Sequence, residues 1–190
     1  MQKMQKMQKM ARDERVSEFL HFLNFLHWPA KGPDSLPTVA QLVTFNGSSF
    51  DLPVLRYRAM VHSIAAPGLS ARPYFNRYTE DAVDLCDLLS SFSPQGKAKL
   101  HEVCRVMGLP GKFEGMSGAE VEKYYLDGRI REIAAYCESD VVNTYRVWLR
   151  YELFRGRITD HGFRASETNL AEFVKARGNT KPHLCEMMLG

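Results

Sequence analysis

The sequence predicts an α/β domain, and three segments support this prediction. Residues 39–45 form a short β-rich run whose apolar residues do not alternate cleanly with polar ones, as expected for a strand covered on both faces. Apolar residues recur at helical spacing over residues 12–28 and again over about 129–155. A covered strand flanked by helices implies a parallel or mixed sheet.

The composition is that of one globular domain. The chain has 190 residues, of which 45% are hydrophobic and 25% are charged, and these values exclude a disordered or collagen-like protein. The formal net charge of +3 permits a nucleic-acid partner without requiring one. No apolar run approaches the ~20 residues that cross a bilayer, and the four cysteines form no Cys-x-x-Cys pair. We therefore expect a cytoplasmic protein with free thiols and no membrane contact.

The N-terminal segment differs in character from the rest of the chain. Residues 1–10 repeat Met-Gln-Lys three times before Met10, and we interpret them as low-complexity sequence because this period fits neither a strand nor a heptad. A frayed helical extension or a wrongly assigned start codon explains the repeat without a functional role. Residues 11–190 are expected to form the domain.

The turn after the predicted strand brings a carboxylate to the strand's carboxyl end. Asn46-Gly47 is expected to turn the chain, and Pro53 suits the first turn of a helix. Asp51 is therefore expected at a strand-to-helix junction. Because aspartate is a favoured helix N-cap, a capping role alone would explain it. The alternative is that Asp51 binds a metal or substrate, since ligand crevices form at the carboxyl ends of sheet strands.

Tyr136 and Asp140 form the second notable feature. They stand four residues apart in the helical pattern of residues 129–155 and are expected to share one helix face. Alone, such a pair is most often a surface hydrogen bond. The same pattern predicts that the helix buries a stripe made of Ile130, Ile133, Ala134, Cys137, Val141, Tyr145 and Trp148.

Together, these two features resemble the motifs of the DEDDy 3′–5′ exonucleases. Residues 43–58 are similar to the second exonuclease motif, and residues 136–140 are similar to the third motif, Tyr-x-x-x-Asp. Within these enzymes, the chain resembles the predicted exonucleases related to the proofreading domain of B-family DNA polymerases, over residues 12–190. The resemblance implies a ribonuclease H-like fold. It also implies a metal-dependent enzyme that hydrolyses phosphodiester bonds at single-stranded 3′ ends of DNA or RNA. DNA is the expected substrate, and RNA stays open.

The resemblance also implies roles for individual residues. Asp51 and Asp140 would ligate Mg²⁺ or Mn²⁺, hard cations that suit carboxylate oxygens. Tyr136 would orient the attacking water, and these three residues are the expected catalytic set. For Asp84, a helix cap is the alternative to a substrate contact. For the arginine and lysine side chains, the alternative is ordinary solvated charge. The residues expected to contact the substrate strand are Asn46, Gly47, Phe50, Arg58, Asp84 and Lys112.

The first motif of such enzymes, Asp-x-Glu on the first strand of the sheet, has no counterpart in this sequence. Asp13 and Glu14 are adjacent and lie at the start of the predicted 12–28 helix, where acidic residues favour the helix dipole. Two-metal phosphoryl transfer needs more carboxylates than Asp51 and Asp140 supply. The chain therefore resembles the C-terminal two-thirds of an enzyme, truncated biologically or by a gene-model error. We expect it to be inactive and weakly stable alone.

Two other interpretations of the same residues stay open. The chain is either a catalytically inactive, nuclease-derived protein that binds nucleic acid or serves as a scaffold, or a non-functional gene fragment. The absent Asp-x-Glu is the best support for the first of them.

Overall fold

A computed structural model describes residues 41–70, 80–111 and 118–189 of the chain. The low-complexity repeat, the predicted 12–28 helix and the beginning of the predicted strand lie outside these residues. The chain divides into two compact units, residues 1–88 and 89–190. Each unit is described by itself below.

The first unit contains a small parallel sheet and two helices that follow its first strand. Strand β1 (Leu42–Thr44) leads into helix α1 (Asp51–Val61) and the short helix α2 (Pro67–Ser70). Strand β2 (Ala82–Asp84) then runs parallel to β1 and leads into helix α3 (Leu85–Leu89). In register, Leu42 pairs with Ala82 and Thr44 pairs with Asp84, so the two strands end at the same edge of the sheet.

A small apolar core joins the helices of the first unit to its sheet. Leu52, Ala59 and Leu69 are buried from α1 and α2. The partly buried residues packed against them are Leu42, Leu55, Ile64, Ala66 and Ala82. Because one face of α1 covers the sheet in this way, the first turn of that helix is held next to the carboxyl end of β1.

The second unit is helical in its described residues. Helix α4 (Leu100–Val106) is preceded by a 3₁₀ turn at Pro94–Gly96 and followed by helix α5 (Val121–Leu126). Helix α6 (Ile130–Phe154) is the longest element at 25 residues, which corresponds to ~37 Å at the rise of an α-helix. Helices α7 (Asp160–Ala176) and α8 (Pro182–Leu189) complete the unit.

Helix α6 is the element on which the second unit is built, because α4, α5, α7 and α8 all pack against it. It ends at Phe154, and Gly156 follows the C-cap Arg155 with a φ of 70°, in the left-handed region that favours glycine. The Arg157 N–H donates to the Glu152 carbonyl at 2.9 Å and so satisfies a carbonyl at the helix end. The sequence prediction of a helix over about 129–155 is therefore confirmed.

The core between α6, α7 and α8 is apolar, with ion pairs at its border. Val142, Val174, Leu184 and Met187 are buried together. Glu167 of α7 accepts from Arg146 at 3.0 Å and from Arg150 at 3.1 Å on α6. These three side chains are only 15% to 26% exposed, so the pairs are better shielded from solvent than ordinary surface pairs.

The predicted buried stripe of α6 is wrong at four of its seven positions, while Ile133, Tyr145 and Trp148 are partly buried. Ile130 is 37% and Val141 is 68% exposed, and Ala134 and Cys137 are also exposed. The residues that α6 buries are Ser139, Val142, Asn143, Val147, Leu149 and Glu152. The stripe was drawn from apolar residues alone, whereas the buried face includes polar side chains.

Hydrogen bonds explain how polar residues of α6 lie in the core. The Ser139 hydroxyl donates to the Ala135 carbonyl at 3.0 Å, and the Asn143 amide donates to the Gly111 carbonyl at 2.6 Å. A buried polar group costs little when it has such a partner. An apolar pattern by itself therefore could not locate this face.

The α/β prediction is confirmed in its coarse form. The described residues are mostly helical, with a two-stranded parallel sheet. The ribonuclease H-like topology and the N-terminal truncation stay predictions. All four cysteines are free, with Cys86 and Cys104 buried and Cys137 exposed. A search of the described part of the chain found no helix with the length and apolar character of a membrane span.

Two valine substitutions on α6 test which face is buried. Val147 is fully buried and Val141 is 68% exposed. We expect Val147→Ala to lower the free energy of unfolding by about 1.5–3 kcal/mol, because it removes buried methyl groups. Val141→Ala is the matched control and should change it by less than about 0.5 kcal/mol. Urea denaturation followed by circular dichroism measures both, and a larger loss at Val141 would restore the stripe predicted from the sequence.

Candidate active site

The turn between β1 and α1 holds the residues of the second motif. Asn46 has a φ of 64°, a left-handed conformation that asparagine tolerates better than most residues. A Cβ atom on Gly47 would lie 2.4 Å from Cβ of Thr44, so only glycine fits there. The Gly47 carbonyl accepts from the Leu52 N–H at 2.9 Å. The prediction that Asn46-Gly47 turns the chain is therefore confirmed with a physical reason for each residue.

Asp84 holds this turn from the end of the neighbouring strand. Its Oδ1 accepts from the backbone N–H of Asn46 at 2.7 Å and from that of Cys86 at 3.1 Å. Its Oδ2 accepts from the backbone N–H of Ser48 at 2.9 Å and from the Ser48 hydroxyl at 2.5 Å. The bond to Cys86 caps α3, which is the capping role considered from the sequence. The contacts with the turn were not predicted.

Ser48 and Asp87 also belong to this site, although the sequence did not single them out. The Ser48 hydroxyl lies 3.1 Å from Oδ2 of Asp87, whose side chain is 1% exposed. No local pattern relates these positions, because 39 residues separate them. The recurrence of aspartate at positions 84 and 87, around a strand-to-helix junction, was the only available signal.

Asp51 is the first residue of α1, and Phe50 is the N-cap. The structure therefore does not place Asp51 at the N-cap position, although a carboxylate in the first turn still favours the helix dipole. The side chain keeps contact with solvent. Desolvation by the surrounding protein raises the pKa of the Asp51 carboxyl, a backbone hydrogen bond lowers it, and the charge of Asp84 raises it further. A cation at Asp51 would relieve this repulsion.

The other expected substrate contacts differ in exposure. Phe50 is 48% exposed and so has a free ring surface, whereas Arg58 is 3% exposed and faces the interior. This burial favours a role for Arg58 in the packing of the first unit. Its contact with a substrate strand stays a prediction. Lys112 lies outside the described residues.

Tyr136 and Asp140 are hydrogen-bonded on one face of α6, as the spacing predicted. Burial raises the pKa of Tyr136 to about 12, and the charge of Asp140 and the hydrogen bond to it add to the rise. The phenol is therefore neutral at physiological pH and acts as a donor to the Asp140 carboxylate. A neutral tyrosine orients a neighbouring group through hydrogen bonds and does not remove a proton.

Helix α4 packs a buried thiol beside Asp140. Burial raises the pKa of Cys104 to about 11, and the Asp140 charge also raises it, while Arg146 and Arg150 lower it. Asn143 lies one helical turn after Asp140 and binds the Gly111 carbonyl, which fastens the segment after α4 to α6. On the side that faces α4, Asp140 therefore lies next to packed protein.

Glu138 fastens helix α8 to α6 close to the third motif. It accepts from the Lys181 ammonium and lies 2.9 Å from Nε2 of His183. Burial raises the pKa of Glu138, but the bonds and charges of Lys181 and His183 outweigh burial, so the pKa is lowered overall. This contact was not predicted, although residues 181–184 were part of the family resemblance.

The chemistry of the two expected metal ligands suits Mg²⁺ or Mn²⁺, because both are carboxylates with oxygen donors. No group of three or more His, Cys, Asp or Glu side chains in residues 41–70, 80–111 and 118–189 is arranged to hold a metal ion. The structure places Asp51 with Asp84 in the first unit and Tyr136 with Asp140 in the second.

The chain belongs to a family of predicted 3′–5′ exonucleases related to the exonuclease domain of PolB. The model of that family matches residues 34–188, which include both motifs. Neither the curated proteins nor the solved structures compared with the chain gave a match. The predicted relationship to the exonucleases of B-family DNA polymerases is confirmed, and at this coarse level the chain is an exonuclease-related, hydrolase-type domain.

Substituting Gly47 tests the geometry of the turn. Gly47→Ala should lower the free energy of unfolding by about 1–3 kcal/mol, because the new Cβ overlaps the Thr44 side chain. Gly118→Ala is the control, since nothing lies within 4 Å of its added Cβ. Thermal melting of both variants measures the difference. Equal melting temperatures would show that the turn is not packed against Thr44.

The contact between Glu138 and α8 should depend on pH. Because folding lowers the Glu138 pKa, its stabilisation is present above the usual value of 4.5 and is lost as the pH falls through the lower pKa of the folded protein. Glu138→Gln should reduce stability at pH 7 by less than about 1 kcal/mol. The difference from the parent should shrink below pH 4.5.

Urea denaturation at a series of pH values measures this dependence. Glu186→Gln, at an exposed position on α8, is the matched control and should leave the profile unchanged. A Glu138→Gln difference that persists at low pH would contradict the assignment.

Proposed function

We propose that the chain is part of a metal-dependent 3′–5′ exonuclease that acts on nucleic-acid 3′ ends, with DNA as the preferred substrate. Asp51 and Asp140 each serve as a ligand for Mg²⁺ or Mn²⁺, and Tyr136 orients the attacking water. Asn46, Gly47 and Phe50 shape the path of the substrate strand. The domain has a ribonuclease H-like fold.

The observation that best supports this proposal is the Tyr136–Asp140 pair inside the region matched by the exonuclease family. A tyrosine and an aspartate four residues apart are common, but this pair is partly buried on α6 and joined by a hydrogen bond. The bond fixes the phenol beside the carboxylate. A water bound there would be held by a neutral hydroxyl next to a negative charge, which suits positioning for attack on phosphorus.

The site in the first unit supports the proposal independently. The second motif lies at the carboxyl end of a parallel strand, and Asp51 stands at the solvent-accessible start of α1. The raised pKa of Asp51 reflects desolvation and the neighbouring Asp84 charge. A divalent cation would relieve the repulsion between the Asp51 and Asp84 carboxylates and would supply the Lewis acidity that phosphoryl transfer needs.

The second candidate function is a protein that binds nucleic acid without cutting it. The absence of any Asp-x-Glu in the sequence favours this alternative. The two carboxylates Asp51 and Asp140 do not balance the charge of two divalent cations. The chain could therefore bind a nucleic-acid strand without hydrolysing it. The two functions differ in one measurable property, the cleavage of a 3′ end.

We expect the chain by itself to show little or no exonuclease activity. The test incubates the purified chain with single-stranded DNA carrying a 5′ label and with Mg²⁺ or Mn²⁺, and resolves the products on a sequencing gel. A ladder of shortened products that disappears with EDTA would contradict this expectation. Binding of the same oligonucleotide without cleavage would agree with it.

Joining a strand that carries Asp-x-Glu to the N-terminus, taken from the parental gene or a related enzyme, should produce an active exonuclease. In that form Asp51→Asn and Asp140→Asn should each abolish activity, because asparagine keeps the shape but loses the charge that holds a cation. Tyr136→Phe should be milder, with a loss of about 10²–10⁴-fold.

Asp160→Asn is the matched control for these variants. Asp160 is exposed and forms a surface ion pair with Arg164 at 2.9 Å, so activity should not change. The same gel assay measures all four variants. Activity that survives Asp51→Asn or Asp140→Asn would show that the assigned carboxylates are wrong.

A further inference from the structure

We propose that Asp84 is a positioning residue of the exonuclease site, which fixes the 46–48 turn (Asn46, Gly47 and Ser48) and thereby the start of the helix that bears Asp51. This inference rests on the proposed function of Asp51. It assigns Asp84 neither to the metal nor to the substrate.

The hydrogen bonds of Asp84 exclude a second role for its carboxylate. A carboxylate has about four lone-pair directions, and four donors already fill them at distances of 2.5 to 3.1 Å. A metal ion or a substrate hydroxyl would have to displace one of these donors. The side chain is also only 8% exposed, so a displaced donor would lose its partner in a poorly solvated place.

A continuous series of contacts links Asp84 to the site. Thr44 pairs with Asp84 across the sheet, so the turn that follows β1 begins beside this carboxylate. Three of the four donors belong to the 46–48 turn. The Gly47 carbonyl of the same turn then accepts from the Leu52 N–H in the first turn of α1. Asp51 is adjacent to Leu52, so its backbone is fixed through the turn.

The donor set makes Asp84→Asn an informative substitution. Two of the donors are backbone N–H groups of the turn, and they contact different carboxylate oxygens. The asparagine NH₂ group replaces one of those oxygens. A backbone N–H of the turn then faces another donor where it had an acceptor. The shape is kept, but the turn loses at least one of its fixed bonds. Ser48→Ala removes the hydroxyl contacts with Asp84 and Asp87 but keeps both backbone bonds of the turn to Asp84, so it gives a smaller, graded change.

The first measurement is amide hydrogen exchange by ¹H–¹⁵N NMR on the full chain. In Asp84→Asn, the Asn46 and Ser48 amides should exchange about tenfold faster or more, while the amides of α6 keep their rates. Asp81→Asn is the matched control, because this nearby aspartate belongs to neither motif. Unchanged exchange at positions 46 and 48 would overturn the inference.

The second measurement is the affinity for a 3′-fluorescein single-stranded oligonucleotide, by fluorescence anisotropy. Asp84→Asn and Asn46→Ala should each raise Kd by about tenfold, and the double variant should bind about as weakly as Asp84→Asn. Such non-additivity is expected if Asp84 acts through the position of Asn46, and a general loss of stability does not produce it. Additive effects, or an unchanged Kd, would overturn the positioning role.

If Asp84→Asn unfolds the chain, Ser48→Ala takes its place in the same cycle with Asn46→Ala, and additive effects there overturn the inference equally. Absence of binding by the unsubstituted chain would instead overturn the proposed function. The exchange rates from the same sample would then still decide whether Asp84 holds the turn.

Discussion

The carboxylate of Asp84 joins segments that are 36 to 38 residues apart in the sequence. It accepts hydrogen bonds from the turn that follows β1 and from the beginning of α3, and it does so at the edge where β1 and β2 end together. Charge-assisted bonds of this kind are stronger than neutral ones. The left-handed Asn46 and the close approach of Gly47 to Thr44 both depend on a turn held in one conformation. The position of Asp51 depends on the same turn.

Helix α6 has the corresponding role in the second unit. Its buried face accommodates Ser139 and Asn143, whose side-chain donors bind backbone carbonyls. Glu138, next to this face of α6, binds His183 of α8. The Tyr136–Asp140 pair is therefore placed on a helix whose orientation is fixed by α4 on one side and by α8 on another. Such support holds the two side chains in one geometry, because a long helix alone leaves its side chains free to rotate.

The family relationship and the geometry give complementary information about function. The family match establishes an exonuclease-related domain. The structure shows how the residues of the second and third motifs are held. It also distinguishes the exposed carboxylate of Asp51 from that of Asp84, whose oxygens already accept four hydrogen bonds. Charge balance separates the two candidate functions, since the sequence contains no Asp-x-Glu to complete a two-metal cage. For this reason the binding protein and the nuclease stay the two functions worth separating by experiment.

The sequence by itself determined the local features of this protein: the strand before Asn46, the turn at Asn46-Gly47, the helix over about 129–155 and the shared face of Tyr136 and Asp140. These follow from backbone preferences and periodicity, which act over a few residues. Only the tertiary structure decided that Asp84 holds the turn, that Glu138 binds α8, and that the buried face of α6 includes Asn143 instead of Val141. Those outcomes depend on partners more than 30 residues away. A polar side chain in a core needs a hydrogen-bond partner, and a local sequence pattern does not show a partner that lies far away along the chain.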